Sequence, residues 1–277
     1  MSESPLQKTN PNDIRTPIDI LLPTHGRLDL TMTSINAIYT HTTVPFHLIV
    51  VDDSTDETPA YFERIQKEHD NITFVHSDEP FKNGNQIFNT GFANMKHDFV
   101  ATVMNSVMVE PEWEMVALQL MEDDPTIGAI GFKCLFPHNG RIESAGIAMH
   151  RYQPMDIGRD LPGHRLSNVY ECEAVQWAFA LLRKSAVIGN IEEDVFHGFV
   201  GWDDIDNCFV LRHKGWKIMY CGLGAGYHRT RATRGTNDPD ALMRNIENGE
   251  AFCKRWGYWD EYLKDHPERA PELVEKT

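Results

Sequence analysis

The chain has 277 residues, with 26 Lys and Arg against 41 Asp and Glu, a formal net charge of −15. Apolar residues make up 41% and charged residues 24%. That globular balance excludes wholesale disorder, no run of about 18 apolar residues is present to cross a bilayer, and the acidic surplus argues against non-specific binding of nucleic acid through the whole surface.

Residues 1–16 read as a polar tail without the apolar stretch of an export signal. The five cysteines, Cys134, Cys172, Cys208, Cys221 and Cys253, stand far apart. No pair has the spacing of a zinc knuckle or a redox motif, which predicts reduced, mostly buried thiols and a cytoplasmic location. The apolar run 18–22, ended by Pro23, predicts a buried strand. Asp29 can cap a helix reaching about Tyr39, with Leu30, Ser34, Ala37 and Ile38 on one face. A second strand spans 47–51 and closes on Asp52 and Asp53. Thr58 and Pro59 have the N-cap and N1 pattern of a helix start. Residues 72–75 form a third strand, the helical spacing of Ile87, Phe88, Gly91, Phe92 and Met95 a further helix, and 99–104 a fourth strand.

Strand and helix thus alternate four times in about 100 residues, the pattern of an α/β fold with a mainly parallel central sheet flanked by helices. Such sheets bind ligands at the carboxyl ends of their strands. The polar clusters fall there: Thr24 to Arg27, Asp52 to Ser54, and Asn105 with Ser106. The second half is less regular. The runs 127–136 and 175–182 are apolar, and 137–170 reads as loops with short strands. A helix is expected at 205–211 with Gly215 as its stop, then a strand at 216–221. Residues 229–240 read as a mobile loop and 241–263 as mostly helical.

Five separated pieces then stand in order: "ILLPTHGR" (20–27), "VVDDSTDET" (50–58), "NGNQIFNTGF" (83–92), "VEPEW" (109–113) and "GWDDIDNCFVLRHKGWKIMY" (201–220), with His228 following. This order resembles the family-2 glycosyltransferases of GT-A, Rossmann-like fold, and "NGRIESAG" (139–146) is similar to a linker found in bacterial and phage members. The resemblance covers 17–230 and implies a single domain: a nucleotide-binding half (17–110), a less regular acceptor half (111–230), and a loop and helical extension (231–277). It implies an inverting transferase moving a sugar from a nucleotide-linked donor, with uridine as the base, to an acceptor hydroxyl.

The resemblance also implies site roles. Thr24, Arg27, Asp52, Asp53, Gly84, Asn85, Asn105 and Ser106 would hold the donor nucleotide. Trp177, Ala178 and Trp202 would wall the sugar and acceptor space. His228 would meet the diphosphate directly or through a metal, and Arg229, Arg231 and Arg234 would close over the diphosphate. Inverting transfer needs a carboxylate to take the acceptor proton, a role that falls to Asp204, with Asp203 second and Asp206 as a plain helix cap. Each has a plainer alternative: a turn cap at Asp52 and Asp53, a surface ion pair at Arg27, a helix start at Gly84 and Asn85, core packing at Trp177, Trp202 and His228.

One departure stands out. Relatives carry an Asp-x-Asp element whose last Asp binds a divalent cation. Here Met104 and Ser106 occupy the acidic positions. Mn²⁺ and Mg²⁺ want anionic oxygen, so a cation is expected to be weakly held or absent. Two other classes remain open: a non-catalytic nucleotide- or glycan-binding relative, and a sugar nucleotidyltransferase, against which the single glycine of "PTHGRLD" argues. The acceptor is left open among glycan, small molecule and hydroxylated DNA base. Arg141, Arg151, Arg159 and Arg165 together with the 229–234 arginines offer a local basic face for the last of these.

Overall fold

The computed structural model describes residues 16–199, 201–230 and 239–269. In chain order the elements are β1 (Ile18–Thr24), α1 (Leu28–His41), β2 (Phe46–Asp52), α2 (Thr58–Ile65), β3 (Ile72–His76), α3 (Gly84–Phe92), β4 (Phe99–Val103), β5 (Val107–Val109), α4 (Met115–Asp123) and β6 (Ile127–Leu135). Then follow β7 (Ile142–Ser144), β8 (Ile147–His150), β9 (Gln153–Asp156), β10 (Val169–Glu171), β11 (Phe179–Arg183), α5 (Lys184–Val187), α6 (Asp203–His213), β12 (Lys217–His228), α7 (Pro239–Arg255) and α8 (Trp259–Asp265).

The main sheet runs β10-β12-β6-β11-β4-β1-β2-β3. Strands β3, β2, β1 and β4 are mutually parallel. Strand β11 runs antiparallel to both β4 and β6, and β12 is parallel to β6. The carboxyl ends of β1, β2, β3, β4, β6 and β12 therefore share one edge. Every residue of β1 is buried, as a strand covered on both faces requires. Ile18, Ile20 and Leu22 join a core layer with Ile38, Phe62 and Leu118 of α1, α2 and α4. Leu21 points the other way, into a layer with Phe88, Phe209 and Phe252 of α3, α6 and α7. The two-residue period of the strand sorts its side chains between the layers.

Several boundaries differ from the sequence expectation. Helix α1 starts at Leu28, with Arg27 as N-cap in the left-handed region (φ 56°), so Asp29 lies inside the first turn and the helix extends to His41. In α2 the N-cap position is Glu57, and the Thr58 N–H is bonded by Asp56 Oδ1 (3.0 Å). Strand β12 has 12 residues, twice the expected length, because a register shift between Cys221 and Ala225 lets it bend and keep pairing with β6. The expected long terminal helix is broken at Gly257, which takes φ +78°, and divides into α7 and α8. Helix α7 is built into the core: Phe252 is fully buried and its ring centroid lies 5.2 Å from Trp202 and 5.1 Å from Phe209. The expected tail (1–16, described only at Thr16) and loop positions 231–238 lie outside the described residues. All five cysteines are free thiols, four of them buried.

Candidate active site

At the shared edge the loops after β1 and β2 are laced together. Thr24 Oγ1 donates to Asp52 Oδ1 (2.6 Å), Ser54 Oγ donates to the same oxygen, and His76 Nδ1 lies 2.7 Å from Asp52 Oδ2. The Gly26 N–H donates to Ser54 Oγ (2.6 Å). Asp52 is fully buried with both carboxylate oxygens occupied. Where the sequence suggested donor contact for Asp52 and Thr24, the structure shows a brace joining the ends of β1, β2 and β3. The neighbouring Asp53 turns to the other side. Its Oδ1 lies 2.7 Å from Nδ1 of the exposed His25, and its Oδ2 accepts from the Phe81 N–H (2.9 Å). Asp53 therefore ties the β1 loop to the segment entering α3. Neither histidine partner was singled out from the sequence, since a lone histidine after a strand carries no spacing signal.

Arg27 forms the ion pair that was its plainer alternative. Its guanidinium donates twice to Asp29, at 2.9 Å from Nε and 2.9 Å from Nη2. Asn105, expected to face the donor, turns its amide inward and donates to Gly26 O (3.3 Å) and Thr31 Oγ1 (3.1 Å). Ser106 follows it and accepts the Arg229 N–H on its carbonyl (2.9 Å), so β12 ends beside the β4 end. Arg229 is exposed there; Arg231 and Arg234 lie outside the described residues.

The start of α3 is capped by Asn83, whose Oδ1 accepts from the Gln86 N–H (3.0 Å) while its Nδ2 donates to Glu193 O (2.6 Å) and Phe196 O (2.8 Å). Asn85 is buried and exchanges amide hydrogen bonds with Asn207 of α6 (2.8 and 3.4 Å). Asn85, expected on the nucleotide, thus joins α3 to α6. Gly84 has the more telling contact. A β-carbon there would overlap Asp203 Oδ2, so the absent side chain is what admits the carboxylate. Gly84→Ala should keep the fold, because the obstructing atom ends a short side chain. It should displace Asp203, which a comparison of melting temperature and transfer rate in the same preparation would reveal as lost rate at unchanged Tm.

Helix α6 opens with Asp203 and Asp204, both half-buried, where the helix dipole stabilises anions. Asp204 Oδ1 accepts from the Ile205 N–H (2.9 Å). Trp202 precedes them in the left-handed region (φ 79°), and its Nε1 donates to Asn245 Oδ1 (2.8 Å). The indole is thereby docked on α7. Asp206, expected as a helix cap, instead lies one turn in and faces α7. It accepts from Trp256 Nε1 (2.6 Å) and lies 3.3 Å from Arg255 Nε. Burial pushes its pKa up to about 6 despite these partners. The folded protein thus holds a proton between about pH 4 and pH 6 that the unfolded chain has released, and stability falls as pH rises through that window. Asp206→Asn should flatten this slope, as urea unfolding at pH 4.5 and pH 6.5 would measure.

Trp177, expected to wall the sugar and acceptor space, is buried. Its ring is 1% exposed and packs edge-on against Phe88 (5.2 Å) and Phe92 (6.2 Å). The indole sits in the apolar layer with Leu21, Phe88 and Phe92. Ala178, beside it, is half-buried, and its carbonyl accepts the Met104 N–H (2.9 Å). Ala178, expected on the same wall, thus lies beside the β4 end.

His228 ends β12 with Nδ1 2.9 Å from Glu143 Oε2, and Thr230 Oγ1 donates to Glu143 Oε1 (2.8 Å). A hard divalent cation does not fit this donor set. Asp53 and Glu143 have both oxygens engaged by protein groups, and no carboxylate stands at 104–106. Ligand atoms of Cys134, Glu143 and His228 do lie within 4.8 Å of one another. Burial holds the Cys134 thiol well above its ordinary pKa.

Residues 19–161 match the family model described as Glycosyl transferase family 2. An uncharacterized protein of Sinorhizobium fredii (strain NBRC 101917 / NGR234), y4gI, is 28% identical over 255 residues. That match covers 86% of this chain and 27% of the relative, so the chain spans about a quarter of its length. Among solved structures, GalNAc-T7 with UDP, GalNAc and Mn²⁺ superposes with a TM-score of 0.72 at 13% identity, covering 93% of this chain and 52% of that one. The mannosyltransferase PcManGT from Pyrobaculum calidifontis, in complex with GDP-Man and Mn²⁺, gives 0.55 at 17% identity, covering 95% and 78%. S. aureus TarS residues 1–349 give 0.57 at 13% identity, covering 91% and 77%. These structures share the fold.

Proposed function

The chain belongs to glycosyl transferase family 2, and from that premise we propose that it moves a sugar from a uridine diphosphate donor to an acceptor hydroxyl with inversion, using Asp204 as general base. The observation that carries this reading is the contact of Gly84 with Asp203. It brings the acidic start of α6 against the start of α3, and the segment entering α3 is bonded to Asp53 at the β2 end. A donor lying across the strand ends would then have its reacting carbon within reach of the carboxylates. Asp204 takes the acceptor proton as the oxygen attacks, and Asp203 shapes the same anionic corner. UDP leaves with developing negative charge, which the exposed Arg229 and the ring of His228 would meet at the joined ends of β4 and β12. No step is assigned to a metal.

The acceptor reading is coarser. A glycan or small-molecule hydroxyl suits a half-buried acidic corner, because the carboxylates that activate the hydroxyl would repel a nucleic-acid backbone. Of the arginines that suggested a basic face, Arg151 is paired with Glu261 and Asp265, and Arg159 with Asp156, which favours the glycan. No described helix is long and apolar enough to cross a membrane. Titrating UDP, GDP, CMP and dTDP by thermal shift, in EDTA and in Mn²⁺, tests the donor. A UDP shift of several degrees at 100 times the dissociation constant, equal in both conditions, is expected. A shift that requires Mn²⁺ would refute the metal-free site, and preference for another nucleotide would refute uridine.

A further inference from the structure

Glu143 has no role in the mechanism above, yet it is 1% exposed and places a carboxylate in the sheet interior directly behind His228. It comes from β7, a three-residue strand paired with β6, and reaches the end of β12 across the strand ends. One oxygen is 2.9 Å from His228 Nδ1 and the other accepts from Thr230 (2.8 Å). A buried carboxylate with both oxygens spent on His228 and Thr230, at and just past the end of β12, is costly to keep unless its partners need orienting. An ionised carboxylate only accepts, so Nδ1 carries a proton and the ring's free choice is at Nε2. Nε2 has no hydrogen-bond partner among the described residues.

We propose that Glu143 is a positioning residue for the donor: it holds His228 by Nδ1–H so that, in the complex, the ring carries both protons and gives Nε2–H to a phosphate oxygen. This rests on the nucleotide-donor reading of the same site. The dyad then supplies at the leaving group a cationic donor where relatives with an acidic motif would use a cation. Near the dyad stand the Cys134 thiol, which burial keeps neutral, the Thr230 hydroxyl, the neighbouring Arg229, and the Asp156 carboxylate, whose pKa burial raises and whose charge Glu143 opposes. None of them accepts Nδ1–H, which goes to Glu143.

The test uses the full chain in EDTA with UDP as probe. Calorimetry of wild type, Glu143→Ala, Glu143→Gln and His228→Ala should give UDP dissociation constants weakened about tenfold or more by the Ala variants, with Gln partly restoring binding because its carbonyl still accepts from Nδ1–H. Adding Glu143→Ala to His228→Ala should cost little more, since both remove one device. In wild type with UDP, nitrogen NMR of the His228 ring, identified by its loss in His228→Ala, should show both nitrogens protonated. UDP binding within twofold of wild type in folded Glu143→Ala overturns the proposal, as does an additive double variant or a neutral His228 ring in the complex. The NMR result stands on wild type alone should the variants fail to fold. If wild type binds no UDP in EDTA or Mn²⁺, the donor reading itself falls, an outcome distinct from all of these.

Discussion

Asp204→Asn should lower the transfer rate about 10²–10⁴-fold while leaving UDP affinity within about twofold. The substitution is nearly isosteric and keeps an oxygen to accept from the Ile205 N–H, so the turn that opens α6 is retained. What disappears is the capacity to take a proton from the acceptor hydroxyl. Asp203→Asn should cost less, because its carboxylate is pressed against Gly84 and serves the shape and charge of the corner. The loss should fall on kcat, with the donor KM little changed, as expected for a group that acts in the transition state. Steady-state kinetics with calorimetry on the same preparations would check this. Equal rates in wild type and Asp204→Asn would exclude it as the base, and no detectable transfer by either, with intact UDP binding, would favour a nucleotide-binding relative without turnover.

Trp177→Ala should destabilise the protein by about 3–5 kcal/mol, the range for removing a large aromatic from a packed core. The ring is almost wholly buried between Phe88 and Phe92 of α3. Helix α3 carries Gly84 at its start, so loosening that contact should also blur the seat of Asp203. Urea unfolding should show a lower midpoint at unchanged slope. A variant of wild-type stability with an altered acceptor KM would instead return Trp177 to the site wall.

Both predictions turn on the same difference between what a residue type suggests and where its side chain goes. The strands were legible because buried parallel strands are short apolar runs closed by turn residues, and 18–22, 47–51 and 72–75 each have that form. The candidate site was proposed from that, since the polar clusters stand where strands of one direction end. Asp203 and Asp204 were legible too, as acids before a helix. Boundaries were less so: Asp29 looked like a cap, but Arg27 in a left-handed conformation starts α1. His25, His76 and Glu143 could not be singled out, because their partners lie 24 to 85 residues away in sequence.

The amino-acid order by itself determined the alternation of strand and helix, the edge at which polar residues gather, the acidic start of α6 and the missing carboxylate at 104–106, because these depend on local periodicity and residue type. Only the tertiary structure decided which of two adjacent carboxylates braces the strands and which reaches the next loop, that Trp177 and Asn85 are spent on packing, and that Glu143 stands behind His228. Those outcomes depend on which side of a strand each side chain leaves and on what a distant segment presents there. A one-residue step reverses the first, and only the closed sheet supplies the second.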